Sequence, residues 1–153
     1  INIKNKNMKL LHYIFPIKGE EPKASALLLA ARVSFGLLLA SHGAQKLMEF
    51  STMAPQFPDP MGVGSNISLM LAIFGELVCS IAFIFGFLTR LAVIPMLFTM
   101  CVAFFSVHGA SIAVGELAFV YLLVFILLWI AGPGQYSVDG FIGKKLFKKG
   151  SLD

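Results

Sequence analysis

Two residues of opposite charge, Arg32 and Glu76, each lie within a long apolar stretch of this 153-residue chain. A charged side chain at the centre of a bilayer costs about 2.5–3.5 kcal/mol on insertion scales, so each charge needs a partner or a function. At about 1.5 Å per residue, the two side chains lie at similar depths on antiparallel helices. We therefore predict an Arg32–Glu76 ion pair in the protein interior. Such a pair either fixes the helix register or forms a polar site for a substrate head group, a quinone or protons.

A second group of polar residues, which includes His42, Lys46, His108 and Glu116, maps to the external ends of the apolar stretches. Two imidazoles and a carboxylate can bind a metal, but neither histidine has a second ligand four residues away, and we predict no metal site. A neutral histidine beside Glu116 could instead relay protons. We interpret the group as the polar mouth of a pocket. The predicted ligand-binding residues are Arg32, His42, Lys46, Glu76, His108 and Glu116, and the sequence identifies no catalytic residue.

The apolar stretches that carry these residues are suited to a lipid environment. The chain is 58% hydrophobic and only 13% charged, which is more apolar surface than a soluble domain of this length can bury. A membrane-spanning helix needs about 20 apolar residues. Four stretches meet or approach that length, namely 24–47, 67–88, 91–108 and 116–131. The sequence therefore predicts an all-α fold, an integral membrane four-helix bundle.

The connections between these stretches are also informative. Prolines and glycines punctuate residues 49–65, which predicts an external loop without regular helix that folds over the bundle. Pro95 lies inside the third span, where we expect a kink. In the first span, Arg32, Gly36, Gly43 and Lys46 fall within about 80° of arc at 100° per residue. The two glycines allow a second helix to approach closely, so we expect this stripe to face protein.

Lysine and arginine residues predict the orientation of the spans. They precede the first span, occupy the turn between the second and third spans, and follow the fourth span. By the positive-inside rule both termini are cytoplasmic, and we predict a multi-pass protein of the bacterial inner membrane. The net charge of +4 thus reflects topology and contact with the lipid bilayer rather than nucleic acid.

The predicted organisation has three parts: an N-terminal cytoplasmic segment at 1–23, a four-span membrane domain at 24–139 and a basic cytoplasmic tail at 140–153. Met8 is an alternative start, which would make residues 1–7 non-native. Cys79 and Cys101 lie on different spans without a CxxC spacing, and we interpret them as buried, inert thiols.

At the same polar positions the chain resembles the DoxX family of small bacterial membrane proteins. The resemblance covers about residues 27–139. It is carried by RVSFG at 32–36, His42, Gly43 and Lys46, FPDPMGVG at 57–64, Glu76, GFLTR at 86–90, His108, GPG at 132–134, Ser137 and Asp139. Membership of this family implies an inner-membrane four-helix bundle. It also implies an association with redox or sulfur chemistry, since relatives include a subunit of an archaeal thiosulfate:quinone oxidoreductase and a mycobacterial partner of superoxide dismutase and a sulfurtransferase.

Our leading hypothesis is the membrane subunit of a redox or sulfur-oxidation-linked oxidoreductase system, with an intramembrane pocket for a quinone-like or polar-headed ligand. The cofactor is unknown, and a quinone is the candidate cofactor. Redox proteins are the candidate partners. The chain has no iron–sulfur motif and no dinucleotide fingerprint, so we expect at most one subunit of an enzyme. The alternative is a non-enzymatic scaffold, or a small transport or lipid-handling protein, in which the ion pair is structural. A channel is less favoured because few polar residues line the spans, although a homo-oligomer would change that.

Overall fold

In a computed structural model of the protein, residues 22–149 are described. Every regular element in that range is helical, and four helices are long and apolar enough to cross a membrane. The predicted all-α four-helix membrane bundle is therefore confirmed. The positions of the termini relative to the two sides of the membrane stay a prediction. So does most of the N-terminal segment 1–23, because residues 1–21 lie outside the described part of the chain.

Six helices follow one another along the described chain. They are α1 (Pro22–Met48), α2 (Phe50–Met53), α3 (Ser65–Phe85), α4 (Thr89–Val107), α5 (Ile112–Ala131) and α6 (Val138–Lys149), of which α1, α3, α4 and α5 are the membrane spans. A single 3₁₀ turn, Ala54–Gln56, follows α2. The prediction of a loop without helix was thus wrong for residues 50–56. It was wrong because Pro55 occupies the first turn of the 3₁₀ segment, where proline's missing N–H is not needed.

Two spans contain a stretch of π-helix. In α3 the π segment is Phe74–Val78, and in α4 it is Val102–Val107. A π segment adds one residue to a helical turn, which turns the following side chains relative to those before it. The α4 helix itself continues through Pro95.

The packed core lies between the four spans. Leu39, Phe83, Val93, Met96 and Phe125 are almost fully buried there, and the Phe83 and Phe125 rings meet edge-to-face with centroids 5.6 Å apart. The outward faces of the same helices carry many exposed leucine, isoleucine and phenylalanine side chains. Such a surface is suited to acyl chains, as expected for a membrane protein.

Helices α1 and α3 approach each other most closely at the two glycines of the predicted stripe. A Cβ atom added to Gly36 would lie 2.5 Å from the Ile84 side chain, and one added to Gly43 would lie 2.7 Å from the Leu77 backbone nitrogen. The prediction that the stripe faces protein is confirmed, since Arg32, Gly36 and Gly43 are all buried. These contacts fix the antiparallel register of α1 and α3. From Gly36 to Gly43 is seven residues forward along α1, and from Ile84 to Leu77 is seven residues backward along α3.

The bundle has two distinct ends. We call one the terminal end: it comprises the start of α1, the turn 86–88, residues 132–137 and α6. The loop end comprises residues 49–64 and the turn 108–111. At the terminal end Gly86 and Leu88 both have positive φ, so α3 stops at Phe85 and the chain turns tightly into α4.

Candidate functional site

Glu76 forms an ion pair with Lys46. The Lys46 Nζ atom donates to Glu76 Oε2 over 2.6 Å, and the two side chains are only 21% and 7% exposed. The prediction of an Arg32–Glu76 pair was therefore wrong. The cation that meets Glu76 is Lys46, which was predicted to belong to the external polar group.

The register of α1 against α3 explains why Arg32 does not reach Glu76. Because Gly36 lies against Ile84 and Gly43 against Leu77, the same register places Arg32 opposite Leu88. From 76 to 88 is twelve residues, or about 18 Å of helix. An arginine side chain cannot cover that distance.

Arg32 instead forms part of a hydrogen-bonded cluster at the terminal end. Its guanidinium donates to the carbonyl oxygens of Ile84, Pro133 and Tyr136, with N–O distances of 3.2 Å to Ile84 and 2.6 Å to Tyr136. The carboxylate of Asp139 lies near enough to attract the guanidinium electrostatically. The planar fork of an arginine suits several acceptors at once, and here it ties three chain segments together.

A cavity of about 530 Å³ lies between α3 and α4, beneath the loop segment 57–61. Three of the predicted site residues, Lys46, Glu76 and His108, line it, together with Ser68 and Thr99 as further polar residues. The rest of the lining is apolar. It consists of Phe57, Pro58, Met61, Leu71, Ala72, Phe74, Ile94, Pro95, Phe98, Val102, Ala103 and Val107.

The rim of this cavity lies on the outward surface of the bundle. Phe74 and Phe98, one on each flanking span, are 47% and 53% exposed, and Leu71 is 45% exposed. Such exposed apolar side chains are suited to contact with acyl chains, while Glu76 on the inner side of the cavity is buried. The cavity therefore runs from an apolar opening on the lipid side to a charged inner wall.

Both π segments contribute to the cavity. Glu76 belongs to the π segment of α3, and Val102, Ala103 and Val107 belong to that of α4, which His108 follows directly. Between them, α3 crosses α4 at Gly75, where an added Cβ would lie 2.3 Å from Thr99 Oγ1. That hydroxyl donates to the Pro95 carbonyl over 2.9 Å. Since π segments are frequent at functional sites, their occurrence on both walls supports this cavity as the candidate site.

The other predicted site residues lie outside the cavity lining. His42 is half-buried, and its ring meets the buried Tyr121 ring edge-on at 6.2 Å. Tyr121 in turn lies within electrostatic range of Glu76. Glu116 is exposed, although its neighbour Gly115 packs against His108. The structure thus brings Lys46, Glu76 and His108 to one cavity and leaves Arg32, His42 and Glu116 apart from it.

Sequence reasoning missed three polar residues of this region, namely Ser68 and Thr99 in the cavity lining and Tyr121 beside it. A sequence signal for Tyr121 exists, because it is a hydroxyl-bearing residue near the middle of the apolar span α5. The signal for Thr99 is its position four residues after Pro95, where its hydroxyl can bond the proline carbonyl. Within the range 22–149, no group of three or more His, Cys, Asp or Glu residues could hold a metal ion.

The loop segment that covers the cavity is held by Asp59. Its carboxylate accepts hydrogen bonds from the backbone N–H groups of Val63 and Gly64, and from the hydroxyl of Ser68 at 2.7 Å. The Ser68 hydroxyl, followed by the Gly64 N–H, holds the pKa of Asp59 below its usual value. The expectation that the loop folds over the bundle is confirmed, since Phe57, Pro58 and Met61 line the cavity.

Comparisons with known proteins agree with this architecture. The sequence model of the DoxX family matches residues 27–109, a range that includes Lys46, Glu76 and His108. The inner membrane protein YqjF of Escherichia coli is 34% identical over 122 residues, which cover 76% of this chain and 92% of that protein. An uncharacterised membrane protein of Mycobacterium tuberculosis is 31% identical over 143 residues, covering 76% of this chain and 82% of the relative. No solved structure matches the chain.

Proposed function

Because this chain belongs to the DoxX family and is a multi-pass membrane protein, we propose that its α3–α4 cavity binds a lipid-soluble ligand with a polar head, of the quinone type. In this proposal the protein is the membrane subunit of a redox-linked system. The observation that carries it is the Lys46–Glu76 pair at the inner wall of a cavity whose rim faces lipid.

The shape and polarity of the cavity support such a ligand. A volume of about 530 Å³ accommodates a substituted ring and the first part of an isoprenoid tail. The apolar lining suits the ring and tail, while the exposed rim on α3 and α4 gives a path from the bilayer without passage through water. A purely water-soluble substrate would gain little from this lining.

The charged pair supports binding of a head group that changes its protonation. The Lys46 ammonium has two N–H donors beyond the one that bonds Glu76, and it can donate to a carbonyl oxygen. The Glu76 carboxylate can accept a hydrogen bond from the hydroxyl that forms when a quinone is reduced. His108, at the loop end of the same cavity, is a further group that can exchange protons. In this proposal the electrons come from a redox partner protein.

The direct test is a calorimetric titration of the purified protein with decylubiquinone and with a menaquinone analogue. Hydrogen bonds to charged groups contribute about 1.5–3 kcal/mol, so Glu76→Gln should weaken binding about 10- to 100-fold. Glu49→Gln is the matched control, because the Glu49 side chain is exposed and, among the described residues, hydrogen-bonds only the Gln45 side chain. Equal and non-saturating responses of all three proteins would overturn the proposal.

A second candidate function rests on the same pair. Lys46 and Glu76 link α1 to α3 beside the close contact at Gly43, so the pair also suits a scaffold in which it only holds helices together. In that case a double replacement by apolar residues would retain both assembly and cellular activity. A ligand site would lose activity in the double variant even when the protein folds.

A further inference from the structure

The last helix, α6, has one face that packs against the bundle and one that does not. Asp139, Gly140 and Gly143 are buried and form the packed face. Gly140 allows the close approach, since an added Cβ would lie 2.9 Å from the Gly134 carbonyl oxygen. The packed face therefore consists of small residues and one carboxylate.

That carboxylate fixes the position of α6 relative to the membrane spans. Asp139 accepts hydrogen bonds from the backbone N–H groups of Leu88 and Thr89 and from the Thr89 hydroxyl, each over 2.8 Å. Since Thr89 is the first residue of α4, the first turn of α6 lies at the level where that span begins. Ser137 also caps α6 by accepting the N–H of Gly140 over 2.9 Å.

The other face of α6 combines exposed apolar residues with lysines. Phe141 is 68% exposed, Leu146 52% and Val138 38%. At about 100° per residue these three side chains occupy roughly 140° of arc. Lys145 lies within that arc and Lys144 lies about 60° beyond its edge, and both are exposed. The one carboxylate among the side chains described on α6 is that of Asp139, which faces inwards.

We propose that this face of α6 lies on the bilayer surface at the terminal end and binds anionic phospholipid head groups. Phe141, Leu146 and Val138 then insert at the boundary between head groups and acyl chains. Lys144 and Lys145 extend to the phosphate groups, as lysines at membrane interfaces do. An anionic bilayer is favoured over a protein partner because of where α6 is held. The hydrogen bonds of Asp139 on the packed face fix α6 at the membrane boundary, so the opposite, exposed face lies next to lipid. The proposal does not depend on the ligand of the α3–α4 cavity.

The single tryptophan of the chain provides the measurement. Trp129, in the last turn of α5, bonds the Arg90 carbonyl and lies at the terminal end. The full chain, purified in a neutral detergent, is titrated with dansyl-labelled phosphatidylglycerol or phosphatidylcholine, and energy transfer from Trp129 reports binding. We expect a preference for phosphatidylglycerol that disappears in 1 M salt.

Two variants separate charge from other effects. Each lysine near an anionic surface contributes about fivefold, so Lys144→Gln with Lys145→Gln should reduce the preference roughly 30-fold. The matched control is Lys144→Arg with Lys145→Arg, which keeps both charges and should keep the preference. Both changes affect exposed side chains, so folding is retained. The proposal is overturned if the wild type binds both lipids equally, if the glutamine variant keeps the preference, or if the chain is a dimer in which this face is covered by a second copy.

Discussion

The Lys46 Nζ atom lies 2.6 Å from the Glu76 Oε2 atom, so the first two membrane spans share an ion pair well inside the loop-end half of the bundle. Gly43, three residues before Lys46, brings α1 against the backbone of Glu76 and Leu77. The ion pair and the glycine contact therefore act on the same part of the helix interface. Each can be tested separately.

Removing one partner of the pair should destabilise the protein more than removing both. Lys46→Met leaves the Glu76 carboxylate buried without its cation, which costs about 3–5 kcal/mol for a buried pair. The double variant, Lys46→Met with Glu76→Leu, should recover most of that loss because no charge remains unpaired. Reversible unfolding in SDS–detergent mixtures measures the difference. Additive effects of the two substitutions would contradict a coupled pair.

The two glycines of α1 should differ in how an added methyl group is accommodated. Gly43→Ala places a Cβ 2.7 Å from the Leu77 backbone nitrogen, which cannot move without shifting α3. Gly36→Ala meets the Ile84 side chain, at 2.5 Å from its Cγ1 atom. We therefore expect Ile84→Ala to rescue Gly36→Ala, whereas Leu77→Ala should not rescue Gly43→Ala.

Thermal unfolding in detergent of four variants tests this difference: the two single glycine substitutions, and each of them combined with its partner substitution. We expect both glycine substitutions to lower the melting temperature, with the loss reversed only for the pair at Gly36 and Ile84. Rescue of Gly43→Ala by Leu77→Ala would show that the contact is not made by the backbone.

The helices and the inward face of α1 were predictable from the sequence for a simple physical reason. A span must be long and apolar, and the 100° spacing of Arg32, Gly36 and Gly43 assigns them to one face whatever that face contacts. The boundaries were less predictable. The second apolar run was taken to reach Leu88, but the positive φ values of Gly86 and Leu88 end α3 at Phe85.

The partner of Glu76 was not predictable, because one sequence does not contain the axial offset between two helices. That offset is set by which side chains interlock, here Gly36 with Ile84 and Gly43 with Leu77. In the sequence analysis, the depth of each residue was counted from assumed membrane boundaries, and this placed Arg32 several residues too close to Glu76 along the bundle axis. The cavity was unpredictable for a related reason, since the π segments that shape it depend on packing between α3 and α4.

The loop that covers the cavity should respond to acid through Asp59. Its pKa is lowered, first by the Ser68 hydroxyl and then by the Gly64 N–H. Because the folded pKa lies below the unfolded one, the stabilising effect is complete above the ordinary value near 3.8. It is lost as the pH falls through the folded pKa.

Carbon-13 NMR of the Asp59 carboxyl group, recorded from pH 2 to 6 in detergent, measures this directly. Ser68→Ala removes the largest cause and should raise the Asp59 pKa towards its ordinary value. Ser65→Ala is the matched control, because the hydroxyl of Ser65, also in α3, is not among the groups that bond Asp59. An Asp59 pKa that is the same in the wild type and in Ser68→Ala would contradict the assigned cause.

Arg32 belongs to a structural cluster at the terminal end, whereas the cavity lies towards the loop end. Arg32 satisfies the carbonyl oxygens of Ile84, Pro133 and Tyr136, and a lysine has neither the planar fork nor the reach to bond all three. Each buried carbonyl left without a donor costs about 1–3 kcal/mol, so Arg32→Lys should lower the free energy of unfolding by at least that amount. Quinone affinity, measured on the folded fraction, should stay within about twofold of the wild type, because Arg32 lies about 18 Å of helix from Glu76. Lys23→Gln, which removes an exposed charge from the first turn of α1, serves as the control that changes neither quantity. A large loss of quinone affinity in a stable Arg32→Lys protein would contradict this assignment. It would show that Arg32 belongs to the binding site and that the ligand extends along the length of the bundle.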